Sequence, residues 1–382
     1  MQFTTLLENI KKSLFFASMA LPKAANLPIL NSFLIQATKN KVEISSTNLE
    51  IGIVSSFSAK VEKEGKAVVP AKTLINFLSQ VNETKLDFVL DNKKMRLKTG
   101  EYQAEFSSLD PEEFPIIPEV SVKSGSASSG KDPKVLRIES SLLARSLEQV
   151  IIAASRNDFR LELSSVYLLF NQGLGLKLVS TDTFRLAEKT IPDSEFQALT
   201  KDKTACLIPL RTAEEVMRIA KEKLEPCEIS IEPNQILFEW KETSLVSRLL
   251  EGEFPDYDTV VPKEFESQLT MSQGKFLEAL RATGVFASKL NDVKVNLLVK
   301  EKKLALLAQD SFIGQNLAKI ELDSVKGENK EIVFNYRYLL DGLQAATDKE
   351  KVFIGFASQE RPVLIRSESD SSYFYILMPL RL

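Results

Sequence analysis

Lys72, Arg211 and Arg337 each stand two residues after Pro70, Pro209 and Asn335, just inside segments whose apolar spacing predicts an amphipathic helix. A cation in a first helical turn faces the positive end of the helix dipole, which disfavours it by about 0.3–1 kcal/mol. A solvated surface cation is the alternative reading, but it predicts no such coincidence, and three placements at equivalent junctions point to anion binding, because helix N-terminal amides together with Lys or Arg hold phosphate. Repeated along a chain, the arrangement suits a polymeric phosphate backbone, contacted without reading its sequence. Lys11, Lys12, Arg145, Arg281 and Lys289 add positive charge in the opening helical segments, interleaved with Glu8, Glu148 and Glu278.

Catalytic chemistry has little to work with. The 382 residues include no histidine, which removes Ser-His-Asp and Cys-His nucleophiles and histidine-based metal sites. Asp182 and Asp310, at matching turns, are the carboxylates an enzyme of duplicated domains would use, and turn formation accounts for both. Gly173-Leu174-Gly175 lacks a third glycine or a GK[ST] and reads as a hairpin turn. Cys206 and Cys227 lie in apolar, strand-like runs and read as reduced and buried. The expectation is a protein that is not an enzyme, with no metal and no cofactor.

The elements that position these residues recur three times. VVPAKTLINFL (Val68 to Leu78), LIPLRTAEEVM (Leu207 to Met217) and VFNYRYLLDGL (Val333 to Leu343) each run from a strand into a helix, at a spacing of roughly 130 residues, a normal domain size. SSTNLEIGI, VSTDTFRLA and LAQDSFIGQNLA repeat in the same order as hairpins with a polar Asn or Asp turn. FTTLLENIKKSLFFA, ESSLLARSLEQVIIAA and QGKFLEALRATGVFA open the units with helical spacing, beginning at Phe3, Leu6 and Leu7 in the first. The Ser/Gly/Lys stretch Val120 to Lys134 reads as a linker, and a second boundary falls near FPDYDTVVPKEF. These signals predict an α+β chain of three similar domains, 1–127, 128–262 and 263–382. Each has antiparallel sheets packed with two helices, in the order helix, strands, helix, strands.

Along its whole length the chain resembles the bacterial sliding clamp family, the beta subunit of DNA polymerase III. The resemblance rests on LPIL from Leu27, VPA from Val69, EFP from Glu113, STDTFRLA from Ser180, FPDY from Phe254 and the segment MPLRL from Met378. It implies the DNA clamp fold and a homodimeric, head-to-tail ring around double-stranded DNA. Such a ring is a processivity factor that tethers a polymerase by topology. That meets the objection raised by the formal net charge of −3, since modest positive potential confined to the hole lets a ring slide.

The implied partners are the polymerase III catalytic subunit, the clamp loader, and other polymerases and repair proteins, which insert a short apolar peptide into a cleft between the second and third domains. Matching positions are Leu163, Thr181, Thr183, Phe184, Arg185, Leu186, Pro255, Val260, Ile376, Met378, Pro379, Leu380 and Arg381. On the DNA side the resemblance adds Lys23. Phe106, Val285 and Phe286 match positions that meet across the family's dimer contact, and core packing accounts for them equally well.

The chain departs from the family at Thr183-Phe184, where Gly or Ser followed by His is common, which makes the cleft mouth more apolar. Thr259 stands where an arginine can occur, Ala24 replaces an arginine position, and Leu161 and Glu162 replace aromatic residues. Tyr373 to Leu377 read as a strand that must stop or run on an edge at Pro379, which has no N–H to donate. A protein-only scaffold using the same cleft is the alternative. Without a signal peptide or an apolar run long enough to span a bilayer, the expected location is cytoplasmic, with no membrane partner.

Overall fold

The computed structural model describes residues 1–24, 27–118, 134–157, 159–346, 351–358 and 361–381. The predicted linker Val120 to Lys134 and the first domain boundary fall almost entirely outside the described residues. Six helices are described: α1 (Leu7–Ser18), α2 (Ala71–Gln80), α3 (Ser140–Ile151), α4 (Leu210–Lys221), α5 (Gln273–Gly284) and α6 (Tyr336–Ala345). Each carries its apolar residues at helical intervals, as with Ala71, Leu74 and Leu78 of α2 or Phe276 and Leu280 of α5, all buried.

Each repeat opens with a strand, not a helix, and this corrects the predicted order. Gln2–Leu6, Lys134–Ile138 and Ser267–Ser272 precede α1, α3 and α5. In the first, Phe3 alternates inward with period two, pairs with Phe88 and stacks on its ring at 4.7 Å between centroids. The run Phe3-Thr4-Thr5 is aromatic and β-branched, and strand pairing outweighs the helical spacing that Phe3 and Leu6 share with Leu7. The helices also end earlier than the apolar pattern suggests, so Ala154 and Lys289 lie beyond α3 and α5.

Contacts divide the chain into two compact units: Met1–Leu143 with Gln197–Thr200 and Arg218–Leu249, and Ala144–Phe196 with Lys201–Met217 and Leu250–Leu382. The reason lies in the sheets, which are built largely of antiparallel strand pairs. One nine-stranded sheet runs Phe196–Ala198, Lys134–Ile138, Cys227–Ile231, Gln235–Glu239, Thr243–Arg248, Ile51–Ser58, Lys41–Thr47, Ser32–Thr38, Gly65–Pro70. Here the middle repeat continues into the first, with Leu245 opposite Ile53. The first unit also holds the five-stranded sheet Lys60–Lys63, Gln2–Leu6, Lys85–Asp91, Lys94–Thr99, Tyr102–Ser107.

The second nine-stranded sheet runs Thr204–Pro209, Ser165–Asn171, Gly175–Thr181, Arg185–Ile191, Tyr373–Leu377, Val363–Ser367, Lys351–Phe356, Ser267–Ser272, Ser324–Lys326. In it the middle repeat continues into the third, with Leu186 opposite Ile376. Gly314–Glu321, Lys303–Asp310, Asp292–Leu298 and Lys330–Asn335 form the remaining four-stranded sheet. Tyr373–Leu377 is thus an interior strand that ends just before Met378 and Pro379, as the missing proline donor requires.

Candidate functional site

The repeated polar turn is the same device in all three places. Asp182 Oδ1 accepts from the backbone N–H of Phe184 and Arg185, both at 2.9 Å. Asn48 Oδ1 does so for Glu50 and Ile51, and Asp310 Oδ1 for Phe312 and Ile313. Thr181 Oγ1 accepts from Thr183 N–H and donates to the Arg185 carbonyl, and Thr47 repeats both bonds with Leu49 and Ile51. Thr183 and Leu49 share φ 77°, a left-handed conformation that these bonds hold in place. Asp182 and Asp310 are therefore turn formers.

The middle turn alone is fastened to the third repeat. Arg185 Nε donates to Asp182 Oδ2 at 2.9 Å and its NH1 donates to Asp341 Oδ2 of α6 at 2.6 Å. Its guanidinium lies 4.0 Å from the Tyr338 ring centroid. Burial works against the charge, yet Tyr375, Asp182 and Asp341 outweigh it and hold the guanidinium above its ordinary value. Arg185 is 12% exposed at its side chain, so it pins the turn to α6 and leaves Phe184, 59% exposed, at the tip.

FPDY is a second fastener. Tyr257 donates to Glu188 Oε2 at 2.6 Å, and Lys177 lies 2.9 Å from Glu188 Oε1. Glu188 is 4% exposed, a buried carboxylate fully supplied with partners. Burial first, then Glu188, pushes the Tyr257 hydroxyl up. Phe254 stacks on Tyr167 at 4.9 Å and meets Tyr257 edge-on at 6.0 Å. Tyr257, Leu186, Ile376 and Val179 form one buried cluster, with Phe254 and Val261 packed against it.

The segment after Tyr373–Leu377 is tied by its backbone. Met378 N–H donates to the Phe184 carbonyl and Leu380 N–H to the Val333 carbonyl, both at 2.8 Å. Met378, Pro379 and Leu380 are half-buried, Arg381 is exposed, and Val260 is 49% exposed. Of the residues singled out in sequence, Leu186 and Ile376 meet in the cluster, while Thr181, Thr183, Phe184 and Arg185 form the adjoining turn. Pro255 and Val260 flank Tyr257, and Leu163 is buried, though outside that cluster. Sequence reasoning missed Glu188, Lys177, Asp341, Tyr338 and Tyr167.

Lys72, Arg211 and Arg337 are the second residues of α2, α4 and α6. Lys72 and Arg337 are exposed and Arg211 is half-buried. Pro70 offers no side-chain cap to the first amides of α2, whereas Asn335 Oδ1 already accepts from Arg337 and Tyr338 N–H. Lys23 is exposed. Phe106 belongs to the core of the first unit, 5% exposed with its ring edge-on to Phe77. Val285 is 67% exposed, and Phe286 is half-buried beside Gly314. Both thiols are free; Cys227 is buried, while Cys206 is half-buried, although desolvation still pushes its thiol up to about 12. Among the described residues no helix is long and apolar enough to cross a membrane, and no group of three acidic, Cys or His side chains is placed to hold a metal.

Three domain models of the DNA polymerase III beta subunit match the chain in order: the N-terminal domain over residues 1–118, the central domain over 137–256 and the C-terminal domain over 258–381. The beta sliding clamp of Streptococcus pneumoniae is 28% identical over 387 residues, covering 98% of each chain. That of Synechococcus elongatus is 28% identical over 381 residues, covering 98% of this chain and 97% of its own. Among solved structures, the DNA polymerase sliding clamp of Bacillus subtilis superposes with TM-score 0.92 at 22% identity, covering 100% of this chain and 99% of its own. The DNA polymerase III beta subunit of Thermotoga maritima does so with TM-score 0.88 at 25% identity and the same coverage.

Proposed function

The chain belongs to the bacterial DNA polymerase III beta-subunit family, the beta sliding clamps, and from that premise we propose how it acts. It is a processivity factor of DNA polymerase III. Two copies close head to tail into a ring around duplex DNA, in the cytoplasm and without catalysing a reaction of their own. The observation that carries this reading is the ordered match of all three domain models along one chain.

Two free sheet edges support the dimer. Among the described residues, Tyr102–Ser107 and Gly314–Glu321, two of the eight edge strands of the four sheets, each have a paired neighbour on one side only. Both expose apolar side chains, Tyr102 at 55% and Leu317 at 57%, and Phe286 lies beside Gly314 at the start of the second. Edges of this kind invite strand pairing. A contact between two different edges is heterologous, and it closes into a ring when the rotation allows. Phe106, a residue of Tyr102–Ser107 whose side chain joins the core of the first unit, would brace that edge.

Lys23, Lys72, Arg211 and Arg337 would meet phosphates, each contact weak and indifferent to sequence, so the ring slides. The turn at Phe184, the Tyr257 segment and Met378 to Arg381 would receive the apolar peptide of a partner, with Leu186 and Ile376 beneath it. The polymerase, the clamp loader and repair proteins would compete for this groove. The first test is the native mass: the account expects a particle of twice the 42.8 kDa chain mass, reduced to a monomer when Leu317 is replaced by Lys. A strict monomer at high concentration would overturn the ring.

A further inference from the structure

The proposed groove has an apolar floor and an acidic surround. Residues 251–264 carry five carboxylates against one lysine, Lys263. Glu251, Glu253, Asp256 and Asp258 are exposed, and among the described residues none of them has an ion pair. Asp256 and Asp258 bracket Tyr257, whose ring sits in the cluster with Leu186 and Ile376. Across the floor, Arg185 is shared between Asp182 and Asp341, which leaves that cluster with one more carboxylate than cation. Thr259 adds no charge, and Arg381 is the lone exposed cation of the Met378 segment.

An apolar peptide placed between these groups brings its flanking residues close to carboxylates that no ion pair among the described residues neutralises. Screening reduces such contacts beyond about 10 Å at 0.1 M salt but leaves closer ones effective. Like charge on the peptide is repelled and opposite charge is drawn in, which sets partner choice and encounter rate more than total affinity. Resting on the groove assigned above, we propose that its occupant is a partner segment whose apolar residues are flanked by lysine or arginine, and that Asp256 and Asp258 determine this preference.

Three fluorescent ten-residue peptides with one common Leu- and Phe-containing core, flanked by Lys-Lys, Ser-Ser or Glu-Glu, are titrated with the full-length protein. The lysine-flanked peptide is expected to bind about 3- to 10-fold more tightly than the serine-flanked one in low salt, and the glutamate-flanked peptide more weakly than both. The differences should shrink below about two-fold near 0.5 M salt, and also in the D256N/D258N variant, checked for an unchanged melting temperature. Equal binding of all three peptides, or a preference that survives D256N/D258N, overturns the proposal while the groove stands. No binding by any of the three overturns the groove assignment and the preference with it.

Discussion

Replacing Phe184 by Ala should weaken peptide binding without touching the fold. Phe184 is 59% exposed at the tip of the Thr181–Arg185 turn. A phenylalanine presents on the order of 200 Å², so about 120 Å² remains to be covered. A peptide that covers half of this removes about 60 Å² from water, worth about 1.5 kcal/mol at about 25 cal/mol per Å². That is roughly a ten-fold rise in Kd. The turn itself should survive, because it is held by backbone groups that Ala retains. Phe184 N–H still donates to Asp182 at 2.9 Å and its carbonyl still accepts from Met378 at 2.8 Å. Fluorescence anisotropy with the lysine-flanked peptide gives Kd, and differential scanning fluorimetry gives the melting temperature. A Kd within two-fold of wild type at unchanged melting temperature would refute the placement of Phe184 in the groove mouth. A large fall in melting temperature would refute its description as an exposed tip residue.

Two further expectations concern the framework. Gly173 and Gly175 share φ +86°, but an added Cβ at Gly173 meets nothing within 4 Å, whereas at Gly175 it runs into the Ile191 carbonyl oxygen. Gly173→Ala should therefore cost about 1 kcal/mol of backbone strain and Gly175→Ala clearly more, read as two unequal losses in urea midpoint; equal losses would contradict the packing. Lys223, 6% exposed, donates to Thr243 at 3.0 Å and lies 4.7 Å from the Phe16 ring centroid, with burial lowering its pKa from 10.5. A lysine with a lowered folded pKa penalises stability fully below that value and not at all above its unfolded pKa. The melting temperature of wild type should thus gain on that of K223M as pH rises from neutrality toward 10, and a constant difference would contradict the burial of the charged amine.

What the sequence made legible was local. The Asn or Asp turns could be read because one side chain satisfies amides two and three residues away, and the cations at Lys72, Arg211 and Arg337 because Pro or Asn marks the helix start. What failed was nonlocal. Phe3 looked helical until its partner strand, Lys85–Asp91, was known. The join of Thr243–Arg248 to Ile51–Ser58 depends on which sheet edges meet, and hairpin rules say nothing about that. The buried Glu188 needs Lys177 and Tyr257, two residues remote from each other in sequence, so no motif could announce it. The proposed peptide groove came only from the family resemblance, since its apolar floor and turn residues read individually as ordinary core and loop.

The central claim is that topology, and not affinity, keeps this protein on DNA. The direct measurement is retention after loading on nicked circular duplex, before and after a single restriction cut, followed by gel filtration at moderate salt. The account predicts co-elution with the closed circle and loss on linearisation as rings slide off the ends. Equal retention on circular and linear DNA, or none on either, would contradict it.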